Sequence, residues 1–258
     1  MEFKQGDVAV SNVGGFVSLV EIQRAPNNFF DVDLIRDLAE VFAKLDEDND
    51  TRAIVLASEG KHFCAGANFG GPRESRSEGT RNPLYVEAVR LFRNKKYVVA
   101  AVQGAAVGGG FGLAMFADFR VGCPESRFTA NFVKLGFTPG FGLTHVLPRV
   151  VGQQVASEFF ATGRRVGGEE ALKLGIVDRL VSLEEVRDAA IGFAREIAEN
   201  APLALLSVRA SLRGDLADAV EKATDHEGEE QFRLQQTEDH KEGVKAVAER
   251  RPGNFNNR

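Results

Sequence analysis

Two short apolar runs, AIVLA at 53–57 and YVVAAV at 97–102, each lead into a glycine-rich turn: KHFCAGANFGG at 61–71 and GAAVGGGFGLAMFAD at 104–118. Few folds accommodate that pattern. A run of five or six apolar residues bounded by polar ones is what a strand covered on both faces looks like, and such strands belong to parallel sheets flanked by helices. Glycine just after the strand lets a neighbouring group come up against bare backbone. The second turn opens into 109–118, which reads as a buried helix entered through glycine. The first N–H groups of such a helix have no partner within it, and its dipole favours an anion or a developing oxyanion. Two backbone N–H groups, one from each turn and aimed at one oxygen, form an oxyanion hole.

The surrounding chain supports an α/β core. Residues 17–22 form a β-rich run, and 31–45 place Ile35, Leu38, Phe42 and Leu45 on one helical face, with Asp31 or Asp33 as cap. Residues 119–122 (FRVG) are short enough for a further strand. Strands alternating with helices predict parallel pairing. From Leu183 onward the pattern is helical and highly charged, with helices expected over 184–200, 202–212, 215–234 and 238–249. Pro202 suits a first turn and Gly214 a break. The organisation expected is a core over 1–195 and a C-terminal helical region over 196–258, docked on the core or on a neighbouring subunit.

Composition removes several classes. The chain has 258 residues, 43% hydrophobic and 27% charged, enough for a full core without disulfides. Its net charge of −5 makes nucleic acid an unsuitable main partner, and the mixed signs over 227–251 read as a solvated helix face. No apolar run reaches the ~18 residues of a membrane helix, and MEFKQGDVAV lacks the order of a signal peptide. Two cysteines, Cys64 and Cys123, make neither a disulfide framework nor a zinc cluster. A cytoplasmic setting is expected. His62, His145, His226 and His240 are scattered, so no metal site is expected. No phosphate loop and no nucleophile elbow occurs, and no histidine is placed to activate Cys64.

Several ordered motifs resemble the crotonase family, which includes the enoyl-CoA hydratases and isomerases. They are RAPNN at 24–28, FCAGAN at 63–68, AAVQGAAVGGGFG at 100–112, LGFTPG at 135–140, LPRVVG at 147–152, ALKLGIVD at 171–178 and TEDHKEG at 237–243. The resemblance covers nearly the whole chain. It implies a crotonase-like spiral of ββα units with a C-terminal helical assembly region, and a homotrimer or dimer of trimers. It also implies an acyl-CoA substrate, with coenzyme A as part of that substrate and no separate cofactor, whose thioester oxygen is held by the N–H groups of Ala67 and Gly109. Arg24, Asn27, Ala65 and Asn68 would then line the coenzyme A moiety.

The chain departs from the family at the acids. Hydratases of this family carry a glutamate three residues after the oxyanion glycine, where this chain has Gly112. They carry a second in a Pro-Glu pair, where this chain has Asn131 and Phe132. Some relatives use an aspartate eight residues further on, where this chain has Gly140. Glycine and phenylalanine transfer no proton. Three explanations stay open: a lyase or isomerase step that needs mainly the oxyanion hole, such as decarboxylation; a proton handled by another residue among Asn131, Thr138, His145, Glu125 and Tyr85, the last on a loop, with Asn131 no base but able to orient water or a substrate group by hydrogen bonds; or acyl-CoA binding without chemistry. Phe111, Phe132 and Phe137 either make the pocket apolar and wide or, the commoner use of phenylalanine, pack in the core, and 68–82 reads as a mobile loop that gates the acyl pocket or as a surface insertion.

Overall fold

The computed structural model describes residues 1–67, 79 and 81–258. Among these residues lie ten strands: β1 (Phe3–Gln5), β2 (Val8–Asn12), β3 (Val17–Ile22), β4 (Ala53–Ser58), β5 (Tyr97–Val102), β6 (Ala105–Val107), β7 (Phe119–Gly122), β8 (Arg127–Thr129), β9 (Arg165–Gly167) and β10 (Arg179–Leu180). The helices are α1 (Val32–Glu47), α2 (Pro83–Phe92), α3 (Gly109–Phe116), α4 (Leu143–Val151), α5 (Gln153–Thr162), α6 (Gly168–Lys173), α7 (Val186–Ala198), α8 (Pro202–Arg213), α9 (Leu216–Leu234) and α10 (Glu238–Ala248).

The larger sheet has the order β1-β2-β3-β4-β5-β7-β10. The first three strands meander antiparallel, and β3, β4, β5, β7 and β10 pair in parallel. A smaller sheet, β6-β8-β9, stands at the carboxyl ends of the central strands. The apolar runs of the sequence are explained by burial on both faces. Along β4, Ile54 and Leu56 face the main core with α1, α2 and α3, whereas Ala53, Val55 and Ala57 face α7. The small side chains on that second face let α7 approach through Ala190, Ala194 and Ala198. The boundary expected after residue 195 falls inside α7, which packs on β3, β4, β5 and β7.

Asp31 caps α1, its carboxylate accepting the Leu34 N–H at 2.9 Å, and Pro202 opens α8. Helix α8 is attached differently from the others. Its one buried residue is Arg209, whose guanidinium binds Asp118 at 2.9 Å and the Asn94 carbonyl at 2.6 Å. Arg213 binds the same Asp118 at 3.0 Å. Leu203 and Leu212 on α8 remain 80% and 72% exposed.

Candidate functional site

The carboxyl ends of β4 and β5 deliver the two glycine turns to one place. The loop after β3 holds the first turn. Asn28, fully buried with φ +49°, donates from Nδ2 to the carbonyls of Glu59 (2.8 Å) and His62 (2.6 Å) and accepts the Arg24 N–H at 3.0 Å. The first turn then runs as a short extended segment between two neighbours. On one side Ala65 N–H donates to the Asn27 carbonyl (2.9 Å) and Phe30 N–H to the Gly66 carbonyl (3.1 Å). On the other, Cys64 N–H donates to Ala105 and Val107 N–H to Cys64, at 2.9 and 3.0 Å. Gly66, at φ +93°, passes so near β6 that a β-carbon there would stand 2.8 Å from the Val107 carbonyl oxygen.

Two peptide planes fix the direction of the amides predicted to matter. In a trans peptide the N–H points opposite to the preceding C=O. The Gly66 carbonyl faces Phe30, so the Ala67 N–H faces the β6 and α3 side. The Gly108 carbonyl accepts the N–H groups of Phe111 (3.0 Å) and Gly112 (3.1 Å) and points along α3. The Gly109 N–H therefore points out of the helix start. Gly110 presses α3 onto the first turn, with no room for a β-carbon beside the Cys64 carbonyl. Among the described residues neither the Ala67 N–H nor the Gly109 N–H donates a hydrogen bond.

Aromatic rings surround this pair. The Phe30 ring covers the face of Gly109 where a side chain would stand, and Phe141 stands 5.9 Å from it, centroid to centroid. Phe141 also fills the space beside Gly112. The space beside Gly140 is taken by the Tyr85 hydroxyl and by Gln231 Nε2. Tyr85, expected on a loop, instead sits on α2, buried, with its hydroxyl 2.7 Å from Gln231 Oε1. Gln231 in turn donates to the Thr138 carbonyl at 3.0 Å. Phe132 and the carboxamide of Asn131 flank Gly108. Of the two uses open to Phe111, the structure has core packing: Phe111 is wholly buried and packs on Phe128 and Phe159. Phe137 stacks edge-on with Phe132 and with His240.

The expected coenzyme A contacts divide. Asn27 and Ala65 meet each other through the hydrogen bond above. Arg24 is occupied by two carboxylates, Asp7 at 2.6 Å and Asp31 at 2.7 Å. Burial opposes its charge, but the hydrogen bonds that its guanidinium donates to Asp31 and Asp7 outweigh that and hold its pKa above the usual arginine range. Its charge is thus already balanced. Asn68 and most of the expected loop lie outside the described residues. His145 sits on α4, and burial together with Arg149 lowers its pKa. Glu125 is exposed. Burial pushes the Cys64 thiol up to about 12, which leaves no thiolate for nucleophilic attack.

Sequence reasoning missed two groups. Asn28, rather than Asn27, ties the first loop to the glycine turn, and its neighbour of the same type hid it. Glu227 on α9 is buried against the start of α4, its carboxylate accepting the Gly142 N–H (2.8 Å), the Thr144 N–H (3.0 Å) and the Thr144 hydroxyl (2.6 Å). Burial outweighs those bonds and raises its pKa to about 7. A cavity of about 160 Å³ lies between α2 and α9, and one of about 390 Å³ lies between the ends of β4 and β5 and the start of α7; neither is lined by Ala67 or Gly109. Among the described residues no helix is long and apolar enough to cross a membrane.

Comparison with known proteins gives a consistent picture. Residues 13–258 match the family model described as enoyl-CoA hydratase/isomerase. The short-chain-enoyl-CoA hydratase of Clostridium acetobutylicum is 35% identical over 243 residues, covering 92% of this chain and 93% of that protein. The carnitinyl-CoA dehydratase of Escherichia coli K12 is 33% identical over 212 residues, 81% of each. The crystal structure of an enoyl-CoA hydratase/isomerase from Pseudoalteromonas atlantica T6c superposes with a TM-score of 0.86 at 25% identity, covering 97% of this chain and 100% of that one. The architecture is therefore crotonase-like, with a helical C-terminal region.

Proposed function

The chain belongs to the enoyl-CoA hydratase/isomerase family, and from that premise we propose that it binds an acyl-CoA thioester with the carbonyl oxygen between the N–H groups of Ala67 and Gly109. The enolate formed there is stabilised by fixed dipoles that need no reorganisation. The observation that supports the reading is that two N–H groups from adjoining glycine turns, those of Ala67 and Gly109, both lack an acceptor among the described residues. Each such donor is worth roughly 3 kcal/mol of transition-state stabilisation. Coenzyme A enters as part of the substrate, along the Asn27–Asn28 loop and Ala65.

The acid positions decide the reaction class. Residues 112, 132 and 140 carry no ionisable side chain, and Phe141 and Tyr85 occupy the space beside the two glycines. Activation of water needs a positioned base, so addition of water is disfavoured. A lyase or isomerase step that leans on enolate stabilisation, such as loss of CO2 from a 2-carboxyacyl thioester, fits the site better. The same observation favours a second reading, acyl-CoA binding without turnover. A panel of crotonyl-CoA, a 3-enoyl-CoA and malonyl-CoA separates them. Turnover of the second or third supports the enzyme; binding of all three without turnover supports the second reading; efficient hydration of crotonyl-CoA contradicts both.

Assembly and setting follow the same logic. The exposed leucines of α8 support self-association into a trimer or a pair of trimers. Two buried cysteine thiols, Cys64 and Cys123, suit a reducing, cytoplasmic setting.

A further inference from the structure

The short parallel ladder that joins the two glycine turns stops one rung early. Cys64 stands opposite Ala106. The Cys64 N–H donates to the Ala105 carbonyl, and the Val107 N–H to the Cys64 carbonyl. Continued by one rung, a parallel ladder would bring the Ala105 N–H to the His62 carbonyl. That carbonyl is already taken by Asn28 Nδ2, at 2.6 Å. The next N–H back along the first turn, that of Phe63, goes to the Gln103 carbonyl at 2.9 Å. The His62 side chain supplies the missing acceptor: the Ala105 N–H donates to its Nδ1 at 3.2 Å. Gly104, at φ +59°, makes the approach possible, since a β-carbon there would stand 2.8 Å from the same Nδ1. The imidazole thus ties the first turn to the second where the main chain does not.

A ring nitrogen accepts a hydrogen bond only while it is bare, so this one requires neutral His62 with its proton on Nε2. A second proton would turn Nδ1 into a donor facing the Ala105 N–H. The charged groups that face the ring are both cations, Lys61 on the same turn and Arg127 at the start of β8; with burial, they hold its pKa below the usual histidine range. The Glu59 carboxylate is turned to the Ala25 N–H, at 3.3 Å, and Gln103, Gly104 and Ala105 bring no charge. We propose that His62 is a positioning residue: its neutral imidazole keeps the two glycine turns in register, and protonation releases that register and weakens the hold on the thioester. The inference rests on the acyl-CoA reading above and adds a side chain that acts through the backbone of the turns. Its sign is fixed. Folding favours the bare ring, so the contribution is complete above the ordinary histidine value of 6.5 and is lost as pH falls below it toward the lower folded value.

The test is calorimetric, on the full chain, His62→Asn and His62→Leu. Asparagine offers a carboxamide oxygen in place of Nδ1 and gains no charge; leucine offers no acceptor. Butyryl-CoA and free coenzyme A are titrated into each, and the ratio of the two affinities is read, so that titration of the coenzyme's own phosphates cancels. In the unaltered chain the ratio is expected to fall about tenfold between about pH 7.5 and pH 5. His62→Asn is expected to keep the high ratio at both pH values, and His62→Leu to show the low one at both. A merely structural role would lower the ratio in His62→Asn as well. A fall as steep in His62→Asn as in the unaltered chain, or a high ratio in His62→Leu at neutral pH, overturns the inference. Should His62→Leu fail to fold, His62→Ala is read in the same way. Amide hydrogen exchange over 104–107 without ligand reads the tie independently of acyl-CoA: it is expected to be slow in the unaltered chain and in His62→Asn, and faster in His62→Leu. Equal exchange in all three overturns the inference. Butyryl-CoA that binds no tighter than free coenzyme A overturns the acyl-CoA reading, and the exchange pattern then decides whether His62 holds the turns.

Discussion

Phe141 stands against the bare α-carbon of Gly112, so that a β-carbon at 112 would come within 2.7 Å of the Phe141 β-carbon. The missing acid and the ring that fills its place are one feature. Restoring a glutamate at 112 therefore overpacks the site instead of recreating a hydratase. Gly112→Glu is expected to lose about 1–3 kcal/mol of stability in denaturant titrations, with no gain in hydration of crotonyl-CoA. Combined with Phe141→Ala, the loss is expected to be smaller than the sum of the two single losses, because the residues touch.

Glu227 gives the protein a pH dependence of defined sign. Its carboxyl is raised from 4.5 to about 7 in the folded state, burial outweighing its hydrogen bonds. A raised carboxyl binds its proton more tightly when folded. Its favourable contribution is therefore present at low pH and is lost as pH rises through 7. Unfolding free energy is expected to increase by about 1 kcal/mol between pH 8 and pH 6 from this group. Glu227→Gln flattens that slope in urea melts recorded across the range. A slope unchanged by the substitution would assign the dependence to other groups.

Helix α8 is held by charge and offers its apolar side outward. Arg209 and Arg213 fasten it to Asp118, while Leu203 and Leu212 stay exposed. If copies of the chain meet there, Leu203→Lys with Leu212→Lys lowers the mass seen by light scattering to that of one chain, with the helical content intact. An assembly that survives both substitutions places the contact elsewhere.

Much of the fold was legible because the physical signals were local. The runs 17–22, 97–102 and 119–122 coincide with β3, β5 and β7; β5 is apolar because both its faces are covered, whereas β3 and β7 also carry Ser18, Glu21 and Arg120. Asp31 announced α1 through its own side chain. What stayed hidden depended on distance in the chain. The strands β6, β8 and β9 have three residues each, too few to show a period. Tyr85, expected on a loop, packs in α2 against a glutamine 146 positions away. Arg24, expected at the coenzyme A moiety, is instead held by Asp7, which the pairing of β2 with β3 brings beside it. The glycine turns were readable as turns. That they lie edge to edge, separated only by the Cys64 and Val107 pairing, was a matter of tertiary structure.

The central claim concerns one carbonyl and two amides, and vibrational spectroscopy reads it most directly. The carbonyl stretch of a 1-13C-labelled acyl-CoA is recorded free, bound to the full chain, and bound to Ala67→Pro. Ala67 is the better site for this change, because Gly109 has the Phe30 ring pressed on it and a proline there would alter more than the donor. Two hydrogen bonds to the oxygen predict a clear shift to lower frequency on binding, and a shift reduced by about half in Ala67→Pro. A bound carbonyl that absorbs where the free thioester does would contradict the account.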